Sequence, residues 1–147
     1  MEPEMASDNL GYRYGKRKLV SYPVDQSSAA IVEGDMLDFA TAGFVIVSAA
    51  DDNRLIGWAA EGCASPAANG DVSILVDTSY DSVYRMTADS APVAADRGRV
   101  CDIGGARIAK ISASADDVLF IEEIDIANTQ VLVSRNTVPA APITGVS

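Results

Sequence analysis

From position 19 onward the chain is a string of short apolar runs, spaced about ten residues apart and separated by Gly, Asp, Asn and Pro. That spacing is the one expected of an all-β sandwich or barrel. The run 19–24 contains Pro23, which cannot donate to a ladder and so marks an edge or a strand end. Gly34-Asp35 opens Met36-Leu37-Asp38-Phe39, and Ala42-Gly43 turns the chain into Phe44-Val45-Ile46-Val47, which predicts a hairpin. Asp51-Asp52-Asn53 predicts a turn, because these side chains bond their own backbone and tolerate left-handed geometry. A strand is expected over 54–61, where Gly57 implies a bulge or a close backbone approach beside Trp58. A loop over 64–70, a strand over 72–76, a turn over 77–81 and a strand from 83 to 86 follow.

The second half continues in the same style. Residues 91–97 predict a short helix or a loop, 99–103 a strand, Gly104-Gly105 a turn, and 106–111 a strand alternating Arg107 and Lys110 with aliphatics. In the strand expected over 118–126, Val118, Phe120, Ile124 and Ile126 are placed on one face. Ala127-Asn128-Thr129 then turns into Val131-Leu132-Val133, a second hairpin. No segment of ten or more residues carries a 3.6-residue apolar stripe. The expected fold is all-β, a small β-barrel or β-sandwich, divided into an extended N-terminal arm over 1–18, a β domain over 19–136 and a loose C-terminal tail over 137–147 containing Pro139 and Pro142.

Composition refines this picture. A chain of 147 residues is one domain long and can bury a real core. Its hydrophobic fraction of 48% is rich in Ala and Val, with only 6% aromatics, so thin layers of small side chains are expected. Net charge is -10, which sets the body against nucleic acid and anionic membrane. Residues 1–18 differ from the rest: they are polar and end in Gly11-Tyr12-Arg13-Tyr14-Gly15-Lys16-Arg17-Lys18, with four of the eleven basic residues of the chain. Such a segment cannot bury enough apolar surface to order itself, and a partner surface is its expected anchor. Neither a signal peptide nor a membrane span is expected. Cys63 and Cys101 lack metal or redox spacing and are expected as two buried free thiols.

Candidate chemistry is sparse. The chain has no histidine, so the commonest general base and metal ligand is missing. The acid pairs Asp51 with Asp52, Asp77 with Asp81, Asp116 with Asp117 and Glu122 with Glu123 sit where turns or solvent-facing strands would put them, and solvated structure is expected of each. Asp51-Asp52-Asn53 lacks the alternating oxygens of a calcium loop. Gly104-Gly105 with Arg107 and Lys110 lacks the glycine pattern and helix of a phosphate loop, which leaves a hairpin turn. Trp58 is assigned to the core. The segment with a functional alternative is Tyr12, Arg13, Tyr14, Lys16, Arg17 and Lys18, which could dock a protein groove or stack on and track a single-stranded nucleic acid. No catalytic residue, cofactor or metal is expected.

The stretches Val32-Glu33-Gly34-Asp35-Met36-Leu37, Leu55-Ile56-Gly57-Trp58-Ala59-Ala60-Glu61-Gly62 and Asp71-Val72-Ser73-Ile74-Leu75-Val76 resemble, in this order, the capsid decoration (cement) proteins of tailed phages. The similarity covers about half the chain, and its motifs are small apolar residues and turn glycines. The longer body after Met86 and the basic segment depart from the shorter lambda-type members. The resemblance implies a non-enzymatic virion protein on the outer capsid surface, made in the host cytoplasm, that stabilises the shell by bridging major capsid protein subunits. It also implies contact with copies of itself, as a homotrimer or other homo-oligomer, and a flexible N-terminal segment gripping the capsid, here residues 12–14 and 16–18. The alternatives are another virion β domain of tail or head-completion type, and a nucleic-acid-binding module with an OB-like barrel, which the acidic body disfavours.

Overall fold

Short β-branched runs cut by turn residues offer no helical stripe to bury, and they settle into strands. A computed structural model describes residues 10–40, 42–52 and 54–137; the expected arm up to residue 9 and the tail from 138 lie outside the described residues. The strands are β1 (Gly11–Tyr14), β2 (Leu19–Pro23), β3 (Met36–Phe39), β4 (Val45–Val47), β5 (Leu55–Ala59), β6 (Ser73–Asp77), β7 (Val83–Ala88), β8 (Val100–Gly105), β9 (Ile108–Lys110), β10 (Leu119–Asp125) and β11 (Gln130–Arg135). The protein is all-β, built from two packed sheets. One has the order β2-β6-β5-β3-β4 and the other β1-β7-β11-β10-β8-β9.

Each sheet curls until its last strand comes back toward an early one. In the second, β9 returns to pair in parallel with the end of β7, Thr87 against Ile108 and Ala88 against Ala109. In the first, Val24 just past β2 makes a parallel bridge to Val45 of β4. The two closures are the same structure built twice. The unit β2–β6 and the unit β7–β11 share strand order, pairing sense and register. Val20 pairs with Val76 and Tyr22 with Ile74, as Tyr84 pairs with Val133 and Met86 with Val131. In the hairpins, Asp38 faces Ile46 and Phe39 faces Val45, as Asp102 faces Lys110 and Ile103 faces Ala109. Single hydrogen bonds recur as well: Gly34 N–H to Ala59 C=O matches Gly98 N–H to Ile121 C=O, both at 2.8 Å, and Asp25 N–H to Val45 C=O (2.8 Å) matches Asp89 N–H to Ala109 C=O (3.0 Å). Gly34 and Gly98 hold the same left-handed turn, with φ of 94° and 86°, a conformation that favours glycine.

Each unit has its own core. Val24, Leu37, Val45, Ala59, Ile74 and Val76 cluster in the first; their counterparts Ala88, Cys101, Ala109, Ile121, Val131 and Val133 cluster in the second. Met36 and Trp58 belong to the first unit yet pack into the second unit's cluster. Trp58 is fully buried and stacks on Tyr84 with ring centroids 4.2 Å apart and planes 11° from parallel. Gly57 is the close approach expected beside it: a side chain there would collide with the Asp77 carbonyl oxygen.

Several local expectations change. Residues 11–18 are not a free arm, because β1 pairs antiparallel with β7, Gly11 against Arg85 and Tyr12 against Tyr84. The apolar surface that this segment lacks is supplied by Tyr84 and by the backbone edge of β7. The domain therefore begins before residue 19. Gly104 and Gly105 end β8, and the turn falls on Ala106 and Arg107. In β10 a bulge between Ile121 and Glu123 breaks the alternation: Leu119 and Ile121 before it are buried and Ile124 after it packs against the same core, while Phe120 is half-buried and Ile126, past the end of the strand, is 60% exposed. Residues 91–97 form a loop with a single 3-10 turn at Ala94–Asp96.

Replacing Trp58 by Ala removes the stack that joins the units and leaves a cavity, a change that costs about 3–5 kcal/mol for a buried large aromatic. Urea unfolding of Trp58→Ala is expected to show a loss of that size. A loss below about 0.5 kcal/mol, the range of ordinary surface changes, would mean that the stack does not hold the junction.

Candidate functional site

The basic segment divides by geometry. The Tyr12 ring meets Tyr84 edge to face at 5.5 Å, and its hydroxyl donates to the Gly15 carbonyl at 2.6 Å. The Arg17 guanidinium lies 4.6 Å from the Tyr12 ring centroid, with its Nε 3.6 Å from Asp77 Oδ2. These two side chains are committed to the protein's own body. Arg13, Tyr14, Lys16 and Lys18 are exposed, and Tyr14 leaves 49% of its surface free. Of the six residues assigned to docking, these four are available on the surface.

Asp77, expected in a solvated turn, is fully buried. It sits where β1, β2 and both units converge. Its carboxylate accepts from Lys18 N–H (3.0 Å), Ser79 N–H (3.1 Å) and the Tyr84 hydroxyl (2.7 Å), with Arg17 alongside. Burial, then the neighbouring Asp77 carboxylate, pushes the Tyr84 hydroxyl pKa well above its ordinary value, so Tyr84 stays a protonated donor. Arg135 ties the same region from the other side, donating to the carbonyls of Thr78 (2.9 Å) and Leu55 (3.0 Å). The arrangement is that of a structural junction: an anion saturated by donors and closed to solvent.

The duplicated position Asp38/Asp102 shows how the units diverged. Asp102 is buried and accepts from the N–H groups of Ala115, Asp116 and Asp117 at 3.1, 2.8 and 2.8 Å, so it anchors the loop before β10. Asp38 is also buried but meets the carboxyl of Asp52. Burial, with that neighbour's hydrogen bond adding to it, raises its pKa to about 6. Oxygens of Asp51, Asp102 and Asp116 lie within 4.8 Å of one another. Yet both Asp102 oxygens are taken by backbone donors, and Asp51 is bonded by Lys110 Nζ at 3.0 and 3.3 Å. This cluster is accounted for as a loop anchor. The cysteines are free thiols; Cys101 is fully buried, and burial pushes it up to about 12, while Cys63 is half-buried rather than buried.

Asp77 and Arg135 escaped sequence analysis because nothing local distinguishes them from turn and edge residues. The duplication left a readable trace that was missed. Gly34, Asp38, Ser48, Ala49 and Asp52 recur as Gly98, Asp102, Ser112, Ala113 and Asp116, at a constant separation of 64 residues. Among the described residues, no helix is long and apolar enough to cross a membrane. Compared with models of known protein families, the chain matches none, and a comparison with curated proteins finds no match.

The paired aspartates predict opposite responses. A carboxyl raised in the folded state contributes stability below its unfolded value near 3.8 and loses it as pH rises through about 6. Asp38→Asn is therefore expected to raise the melting temperature by a few degrees at pH 7.5 and to leave it unchanged near pH 3. Asp102→Asn turns an amide toward donors and is expected to cost about 1–3 kcal/mol at pH 7.5. Thermal and urea unfolding across that pH range check both; responses of the same sign at pH 7.5 would contradict the assignment. Deleting residues 1–18 removes β1 and Arg17 and is expected to destabilise the body, which circular dichroism with urea titration would register.

Proposed function

We propose that this protein is a virion structural protein that decorates the outer surface of a tailed-phage capsid and stabilises the shell by bridging major capsid protein subunits. What carries the proposal is the mapping of the resemblance onto the fold. Its stretches form β3, β5 and β6, which are neighbours in one sheet, so the similarity follows a contiguous structural block and not scattered turns. An acidic surface suits a protein exposed on a particle, where like charge keeps particles apart.

The way it grips differs from a loose basic arm. Arg13, Tyr14, Lys16 and Lys18 are fixed on the surface next to Leu19, which is 46% exposed. Leu19 begins β2, whose outer edge carries no paired strand along Leu19 and Ser21 among the described residues. The same edge of β7 is covered by β1. An open strand edge beside cationic side chains fits an acidic extended segment of a capsid protein, added as a further strand. Contacts with several shell subunits would act together at high effective concentration.

The test is cosedimentation with empty shells, with occupancy scored by electron microscopy. Wild-type protein is expected to decorate the shells, and the double variant Lys16→Glu, Lys18→Glu to lose at least tenfold in apparent affinity while staying folded. No decoration by the wild type would sink the proposal. Retention of single-stranded oligonucleotides by the wild type, with a steep salt dependence, would favour the nucleic-acid alternative instead.

A further inference from the structure

Among the described residues the second sheet has six strands and the first five, and the difference is β1. Leu19, Val20, Ser21 and Tyr22 of β2 stand where Val83, Tyr84, Arg85 and Met86 stand in β7, so the β1–β7 pair is an internal template for the β2 edge. Backbone direction agrees between the two. Thr78 N–H donates to the Lys18 carbonyl and Val24 N–H to the Val72 carbonyl, each at 2.8 Å. Alternation in an antiparallel pair therefore turns the even-numbered positions of β2 toward β6 and the N–H and C=O groups of Leu19 and Ser21 outward. In β7, Ala88 N–H goes to the Thr129 carbonyl at 2.9 Å. Val83 and Arg85 turn outward likewise and meet β1, with Gly11 opposite Arg85 and Tyr14 opposite Val83.

Burial records what the covering strand does. Beside β1, Tyr84 is 1% exposed and Met86 fully buried, and the Tyr12 ring rests edge to face on Tyr84. Their counterparts Val20 and Tyr22 are only half-buried. Tyr22 meets Phe39 edge to face at 5.7 Å, and Phe39 is half-buried where its counterpart Ile103 is fully buried. Val20 is also smaller than Tyr84, which leaves more room for a covering side chain.

We infer that the β2 edge receives an extended acidic segment of the partner, antiparallel to β2, with hydrogen-bonded pairs at Leu19 and Ser21 and an aromatic side chain opposite Val20. That side chain takes over Val20 and Tyr22 the place Tyr12 takes over Tyr84. The inference fixes the direction, register and sequence pattern of the docked strand, and it rests on the capsid reading for the identity of the partner. Backbone pairing gives affinity that any extended chain would share, whereas the aromatic and the charges select among chains. An antiparallel segment ends beside Leu19, and the exposed Lys16 and Lys18 precede Leu19. The acids therefore belong at the segment's C-terminal end.

The probe is an acidic copy of β1, the peptide Gly-Tyr-Glu-Tyr-Gly-Glu-Glu-Glu, which is the sequence of residues 11–18 with each base replaced by Glu. Titrated into the full chain and followed by nitrogen-15 NMR, it is expected to shift the Leu19 and Ser21 amides and slow their exchange with solvent. Replacing its first Tyr by Ala, or moving its last three acids to the N-terminal end, should each weaken binding at least tenfold. Ser21→Pro removes an outward N–H without touching a bond to β6, a change that edge strands tolerate, and should abolish binding; Leu19→Pro replaces it if its circular dichroism departs from wild type. No shift at these amides, or equal binding of the three peptides, would overturn the inference. So would Leu19 and Ser21 amides that move with protein concentration alone, which would assign the edge to a second copy. Cosedimentation with shells separates the two readings: peptide binding without decoration by the wild type removes the capsid and leaves the strand rule standing, whereas equal decoration by wild type and Ser21→Pro keeps the capsid and overturns the strand rule.

Discussion

The second unit's core is completed by residues of the first. Trp58 and Met36 leave their own sheet's interior to pack with Tyr84 and the second cluster, and the Tyr84 hydroxyl returns the link by donating to Asp77 at the end of β6. This junction constrains what surrounds it. Gly57 is needed because the backbone of β5 lies against that of Asp77, Lys18 is held because its N–H is one of the donors Asp77 requires, and β1 lies on β7 because Tyr12 covers Tyr84. A buried carboxylate met by several donors is costly to break from either side, so the arrangement ties the basic segment, the first unit and the second into one piece.

Against that shared junction the two units have drifted apart while keeping their geometry. Interior volume has been exchanged rather than conserved position by position: Leu37 becomes Cys101 and Val45 becomes Ala109, whereas Ala59 becomes Ile121. Cores accept such swaps when the total volume is kept. The polar positions drifted further. Asp35, which pairs with Arg107, becomes Arg99, which lies 3.6 Å from Asp96; Asp38, beside Asp52, becomes Asp102, which organises a loop. The repeat gives the molecule two versions of one strand edge, one covered by the chain itself and one facing outward. The β7 edge is covered by β1, while along Leu19 and Ser21 the β2 edge carries no paired strand among the described residues.

Much of the strand pattern was legible because small β-branched runs and turn residues act locally. The hairpins at 36–47 and 118–133, the close approach at Gly57 and the burial of Trp58 all follow from residue type and spacing. What escaped depends on partners distant in sequence. The segment 11–18 looks unanchored when only its own composition is considered; it is ordered by a strand more than sixty residues away. Asp77 has the appearance of a turn residue until Tyr84 and Arg17 are brought against it. The face assignment in β10 failed through one bulge, since a single extra residue inverts every side chain beyond it. The duplication was hidden by the volume exchange, which erases apolar identity and leaves only the turn glycines and a few polar residues at the repeat distance.

If the junction at Trp58, Tyr84 and Asp77 makes the two units interdependent, neither can persist without the other. Differential scanning calorimetry measures this directly through the ratio of calorimetric to van't Hoff enthalpy. The account predicts a single transition with a ratio close to one. Two separable transitions, or a ratio approaching two, would show that the repeats fold independently and would contradict it.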